Sequence, residues 1–303
     1  MKFSEVLGFL IILKESIKLV RKNGILLASI LILSNLLPSI LLLLFLHFYR
    51  SVTDHVTDSG TNPTQQTLII YISLLLAVEI AFLIAYFIIS HVSGIATILV
   101  SSASYTGTNL SSKDLFSSIK RTWTKPLSFR FSVSAHSSAR YLSIIFILVI
   151  LIVVMYPNIF TISIAIIIGT MIFVFQLYAA VVSVLSIVVS VLEDRTKLEA
   201  LEKAGNLVKG QHLHGFMLNL FFNLVFLIIF LVLYLGDKGS MSLIKYGLFF
   251  VNSISVLKTV LLMAYTVLYF QCKKHHGEEI DVLGNLDQYT KLSTTTDLGN
   301  DIP

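Results

Sequence analysis

Cysteine is nearly missing from this chain. Cys272 is the only one in 303 residues, which excludes an intramolecular disulfide and any thiolate-rich metal centre. Charge is scarce as well: 13% of residues are Asp, Glu, Lys or Arg, against roughly one-quarter in a soluble globular domain. Signatures of catalysis are missing too. There is no His-Glu-x-x-His pair, no Gly-x-Ser-x-Gly elbow, no Walker loop and no paired-carboxylate motif in an aqueous domain. Eight histidines do not compensate, because His212 and His214 alternate in a loop without an acidic neighbour and His275-His276 sit in a basic run. The chain is therefore read as non-enzymatic, with no catalytic residue, no metal ligand set and no cofactor. Asn62-Pro63-Thr64 has the outline of a glycosylation acceptor, but the central proline blocks it.

What the chain has in abundance is apolar sequence, at 55% of residues, gathered into blocks too long for a soluble core helix. Crossing about 30 Å of hydrocarbon takes about 20 helical residues. Blocks of that length lie near 25–49, 68–102, 141–161, 164–192, 216–235 and 247–271. Each is continuously apolar rather than alternating, which points to helices and away from a barrel. The expected fold is an all-α, polytopic transmembrane bundle of about six spans. An interfacial helix over 1–23 precedes a membrane domain over 24–272, and a polar tail over 273–303 follows, its last dozen residues lacking apolar periodicity. The first block is too long for a signal peptide and has no clear cleavage site, so it is read as an uncleaved span.

The net charge of +5 would suggest nucleic acid on a soluble domain. Here the basic residues flank apolar blocks, and anionic headgroups are the expected partner, with protein partners at the same face and no nucleic acid. Residues 1–23 carry five Lys or Arg, the 103–140 loop six, the 193–215 loop four and the tail three. The alternate loops hold only Arg50, Lys238 and Lys245. Eighteen against three places both termini in the cytoplasm, in an endomembrane or the plasma membrane. The third and fourth blocks meet at the turn Tyr156-Pro157-Asn158; if that stretch were one re-entrant element, the count would become five and the C-terminus would move outside.

Three short amphipathic helices are expected on the basic side. In the first, Val6, Leu10, Leu13, Ile17 and Val20 form an apolar stripe opposite Lys14, Lys18, Arg21 and Lys22. A second starts at Ser111-x-x-Asp114, carries Leu115, Ile119 and Trp123, and stops at Pro126. A third starts at a Thr196-x-x-Glu199 capping box, repeats Leu198, Leu201 and Val208, and ends at Gly210. The order span, capped basic helix, breaker, span occurs twice, which suggests an internal duplication.

An ionisable group within a span is costly unless paired or wetted, so Glu79 and Lys258 are the candidate site residues. Tyr86, Ser90, Ser93 and Thr97 follow Glu79 on one helical side, and Asn252, Ser255 and Thr259 form a stripe beside Lys258. One reading is a polar cavity with a Glu79–Lys258 pair that couples to a proton or solute. The other is that these groups fix the packing of the bundle. Pro38 should kink the first span. Gln176, Ala179, Ser183, Ser186 and Ser190 suit close helix contact, Asn219 and Asn223 suit bonds across helices, and Glu193-Asp194 reads as help in starting the third short helix. Cys272 beside Lys273 and Lys274 has the setting of a palmitoylation site or of a plain thiol at the buried edge, and Tyr289-x-x-Leu292 has the shape of a tyrosine-based sorting signal.

Two stretches carry a family likeness. The opening Leu7-Gly8-x-x-x-Ile12-x-x-Glu15-Ser16-x-Lys18, together with Cys272-Lys273-x-x-His276-x-Glu278-x-Ile280-Asp281 and Tyr289-x-x-Leu292, resembles a plant family of uncharacterised six-span membrane proteins. Ala200-Leu201-x-Lys203-Ala204-x-x-Leu207-Val208-Lys209-Gly210 is similar to a loop of bacterial glycerophosphodiester phosphodiesterase membrane-domain proteins. Neither likeness implies an activity, since the bacterial catalytic domain has no counterpart here. The leading expectation is a membrane organiser or partner-binding protein, and the alternative is a small transporter or channel subunit using the Glu79 and Lys258 stripes.

Overall fold

The computed structural model describes residues 3–22, 24–58, 65–108, 110–123, 159–193, 195–235 and 243–278. Every regular element among them is a helix: α1 (Phe3–Lys22), α2 (Gly24–Asp58), α3 (Gln65–Thr106), α4 (Ser112–Thr122), α5 (Ile159–Leu192), α6 (Lys197–Val208), α7 (His212–Leu235) and α8 (Leu243–His275). Five are long and apolar enough to cross a membrane, with spans at Gly24–Asp54, Ile69–Thr106, Ile166–Leu192, His212–Leu235 and Ile244–His275. They cover five of the six blocks read from the sequence. Most of the sixth, 141–161, lies outside the described residues, as do Pro126 and the Tyr289-x-x-Leu292 motif.

Helix α8 organises the bundle. It packs against α1, α2, α3, α5, α6 and α7, and from Leu262 to Phe270 every residue is buried, so no side of its C-terminal half faces outward. Tyr105 of α3 stacks on Phe270 at 4.5 Å, and Tyr269 reaches Glu193 just past α5. His275 stands 3.0 Å from where a Cβ on Gly210 would be, at the entrance to α7. Leu27 near the start of α2 clusters with Val100 and Met263. One end of the bundle therefore gathers the start of α2 and α7, the close of α3, α5 and α8, and the three short helices. That end also carries Arg21, Lys113, Lys120, Arg195, Lys203 and Lys273.

Burial along the long helices changes with height. Helix α3 exposes Ile69, Ile72, Leu76, Ile80, Leu83 and Ile88, then is buried almost continuously from Gly94 to Ser104. Its 42 residues make a rod of about 60 Å, twice the hydrocarbon thickness. The upper part presents the apolar belt that lipid requires, and the lower part is jacketed by α1 and α4.

The short helices form, but two of their faces differ from expectation. In α1 the protein buries Ile12, Ser16 and Leu19, one residue or about 100° round from the stripe of Leu13, Ile17 and Val20. Leu10 and Ile17 stay exposed, so α1 has three sides: one on the bundle, one apolar, one basic. In α6 the buried side is Ala200, Ala204, Leu207 and Val208, while Leu198 and Leu201 are exposed. Alanine wins there because small side chains allow close approach. Thr196 and Ser111 hold the N-cap positions with extended backbone, yet neither side chain makes a capping bond, so the capping box is not formed. Gly210 ends this segment with φ +91°, a conformation that L side chains rarely adopt.

Candidate functional site

Pro38 lies inside the continuous helix α2 and has no N–H, so the Ser34 carbonyl one turn earlier loses its usual donor. A carbonyl orphaned in a membrane must be bonded by a neighbour. Ser255 of α8 supplies the bond, its Oγ donating to Ser34 O at 2.8 Å. One residue on, Ser39 Oγ donates to Asn252 Oδ1 at 3.0 Å. The proline thus fixes α2 to α8 rather than serving only as a kink.

Below these bonds α2, α3 and α8 enclose a polar chamber. Tyr86, Ser90, Ser93, Thr97, Ser255, Lys258 and Thr259 line it, with Ser34 and Pro38. Lys258 Nζ donates to the Ser90 carbonyl at 2.6 Å and also to Ser90 Oγ. The room open to water centres is about 20 Å³, enough for about one ordered water, which needs roughly 10–15 Å³. Lys258 stands about 20 Å along α8 from Lys245 and about 22 Å from Lys273, which is mid-bundle.

Two sequence-based expectations are corrected here. Lys258 does not pair with Glu79: its ammonium is held by Ser90, which is eleven residues, about 16 Å, along α3 from Glu79. Glu79 is exposed. Its neighbour Phe82 meets Phe45 of α2 at 4.9 Å, which puts Glu79 near the height of Arg50, toward the outer end of α2 and far from the middle. Asn252 belongs to the α2–α8 tie and not to the chamber wall.

The basic end holds a charged cluster that the sequence reading passed over. Glu193 Oε1 accepts from the Tyr269 hydroxyl at 2.6 Å and faces Lys273 Nζ at 3.2 Å, while Oε2 takes Arg195 Nε and Lys203 Nζ at 2.9 Å each. Lys203 reaches on to Glu278 at 3.0 Å. Burial alone would raise the Glu193 carboxyl, but Tyr269, Lys203 and Lys273 outweigh it and hold it at about 2. Burial likewise opposes the charge on Lys203, and Glu193 and Glu278 outweigh it and raise its pKa. The clamp joins α5, α6 and α8, so Glu193 does far more than start a helix. Its signal in the sequence was a carboxylate just past a span, with Tyr269 and Lys273 one turn apart at the end of another.

The remaining candidates find these places. Cys272 is fully buried in the main apolar cluster, which fits the plain buried thiol rather than the palmitoylation site, because the thiol is not presented to a modifying enzyme. Asn219 bonds across helices, Nδ2 donating to Leu177 O at 3.0 Å. Ser186 and Ser190 are buried on the small-residue side of α5. His91, singled out by no motif, is buried against α4 with its Nε2 3.1 Å from Trp123 O.

These features define a class: an all-helical bundle with five membrane-length helices, tied at mid-height by a proline-linked polar chamber and at one end by an ionic clamp. Residues 3–293 match the family described as a domain of unknown function, DUF8558, and the chain belongs to that family. No curated protein and no solved structure matches it.

Proposed function

We propose that this chain is a six-span, non-enzymatic integral membrane protein that organises anionic lipid, and partner proteins held there, through the helical collar at its basic end. The carrying observation is the make-up of that collar. Helix α1 presents exposed Leu10 and Ile17 beside Lys14, Lys18 and Arg21, and α4 presents exposed Phe116 and Trp123 beside Lys113, Lys120 and Arg121. Apolar side chains adjoining cations are what the headgroup boundary of an anionic leaflet attracts. The sixth span is supported by direction. Helix α3 ends at the basic end and α5 begins about 50 Å from it, and a further span read over the apolar block 141–161 suits those opposite ends. Positive residues at one end support cytoplasmic termini in an endomembrane or plasma membrane.

The resemblance to a plant six-span family is offered as kinship within the same group. The likeness to the glycerophosphodiester phosphodiesterase membrane domain rests on a motif whose Ala200, Ala204, Leu207 and Val208 form the buried face of α6, and so speaks for shared packing. The transporter reading has mid-bundle Lys258 in its favour; against it stands a chamber with room for about one water.

The test is lipid retention. The full chain is exchanged into nanodiscs of mixed phosphatidylserine and phosphatidylcholine, and the bound lipid is measured at low and high salt. Changing Lys113, Lys120 and Arg121 together to Gln should weaken phosphatidylserine retention by up to about a hundredfold, at about 1 kcal/mol per cation near the surface. Equal enrichment in wild type and variant would refute the proposal.

A further inference from the structure

On the side of α8 away from the chamber, α5, α7 and α8 leave a second cavity of about 480 Å³. Its walls are largely apolar, with Phe222, Phe226, Leu257 and Leu261 among them, and into it face Gln176 and Asn223. As a residue Gln176 is more than nine-tenths buried, and its amide, which bonds no described residue, is the part left accessible, toward the cavity. An amide that faces an apolar cavity within a membrane without a protein partner is costly, so a position that keeps one wants something to bond it. Asn223 spends its Nδ2 on Asn219, donating to O at 2.8 Å and to Oδ1 at 3.2 Å, and keeps its own Oδ1 as an acceptor.

We infer that this cavity is a binding site for an uncharged lipid bearing a hydroxyl, such as a sterol or a diacylglycerol. The polar groups select the chemistry. Gln176 offers a donor and an acceptor and Asn223 an acceptor, the complement of one hydroxyl and not of a phosphate. Lys258 borders both spaces, and its ammonium is held by Ser90 in the opposite chamber rather than left to meet a ligand here. Depth agrees: the site lies mid-bundle beside Lys258, about 20 Å from either end, where a charged headgroup is excluded and a hydroxyl is tolerated. The volume falls within the range of small-molecule pockets, which runs from roughly 300 to 1,000 Å³. The mouth passes exposed Asn223 and Phe226, so entry is sideways from the bilayer.

The experiment uses the full chain in phosphatidylcholine nanodiscs, irradiated with photoreactive analogues of a sterol, a diacylglycerol and phosphatidylcholine. The expected result is saturable labelling of α5 or α7 by one of the two neutral probes, competed by its unlabelled parent; which probe labels identifies the source. Gln176→Leu should lower that labelling tenfold or more, and Ala180→Trp, which fills the cavity, should abolish it. Without added lipid, the melting temperature of Gln176→Leu should equal or exceed that of wild type, separating lost binding from lost folding. Labelling as strong with the phosphatidylcholine probe, no labelling by either neutral probe, or labelling indifferent to both variants would each overturn the inference.

Discussion

Glu193→Gln is the most informative perturbation of the fold, because it keeps size and one acceptor while removing the charge that Arg195, Lys203 and Lys273 share. Its size follows from proton linkage. A carboxyl held at about 2 instead of 4.5 favours the folded state, at 1.36 kcal/mol per pKa unit, by roughly 3 kcal/mol. The site is only partly desolvated, so about 2–3 kcal/mol is the working range. The sign fixes the pH window: a depressed carboxyl pKa stabilises above the unfolded value and loses that contribution as pH falls through the folded one. Wild type should therefore lose 2–3 kcal/mol between pH 4.5 and about 2 that Glu193→Gln no longer has to lose. The assay is thermal unfolding in detergent, followed by size-exclusion of the surviving monodisperse protein across pH 7 to 3. At pH 7 the variant should melt several degrees lower, and the two curves should converge toward pH 3. Parallel acid profiles, or a variant within about 0.5 kcal/mol of wild type at pH 7, would remove Glu193 from the centre of the clamp.

Three further outcomes follow from the geometry. Glu79→Gln and Lys258→Met should combine additively in unfolding free energy to within about 0.5 kcal/mol, because about 16 Å separates them; a coupling of 1 kcal/mol or more would restore the pair. Ser255→Ala should cost about 1 kcal/mol by leaving the Ser34 carbonyl unbonded, and only a few tenths in a Pro38→Ala background, where residue 38 regains the N–H that bonds it. A double-mutant cycle in one detergent measures that difference, and equal costs in both backgrounds would show that the proline does not create the need. Cys272 should resist a membrane-permeant maleimide in the native protein and react on unfolding in SDS, read by a mass shift; rapid native labelling would contradict its burial.

Much of the fold was legible because the bilayer restricts the choices. Continuous apolar blocks of membrane length have one structural solution, and five of them appear as helices at the places read from the sequence. Polar stripes were legible for the same reason: Tyr86, Ser90, Ser93 and Thr97 recur at helical spacing, and the structure sets them along one chamber wall. What periodicity cannot carry is height and azimuth between helices. Glu79 shares the side of Ser90, yet eleven residues of rise put it beyond the reach of Lys258. The face of α1 was mistaken because an interfacial helix touches two apolar media, and hydrophobicity alone does not say that Ile12 and Leu19 meet protein while Leu10 and Ile17 meet the outside. Glu193 was missed because its partners come from residues 195, 203, 269 and 273, and only tertiary contact assembles them.

The polar groups within the bundle have a common pattern that separates holding from recognising. Ser34 is bonded by Ser255, Ser90 by Lys258 and Leu177 by Asn219, so each of these side chains is committed to a neighbouring helix's backbone. Such bonds fix the relative height of helices without leaving a group free to meet a solute, and the tight space around Lys258 agrees with that. Gln176 differs from these three: it is mostly buried as a residue, but its amide faces the open volume of the second cavity and bonds no described residue. If evolution needed only packing at that position, leucine would serve at lower cost, since an amide facing an apolar cavity within a membrane is costlier than an apolar side chain there. The retained amide is thus better explained by something that visits the cavity than by the bundle itself, and the stability of Gln176→Leu relative to wild type, measured without lipid, decides between the two.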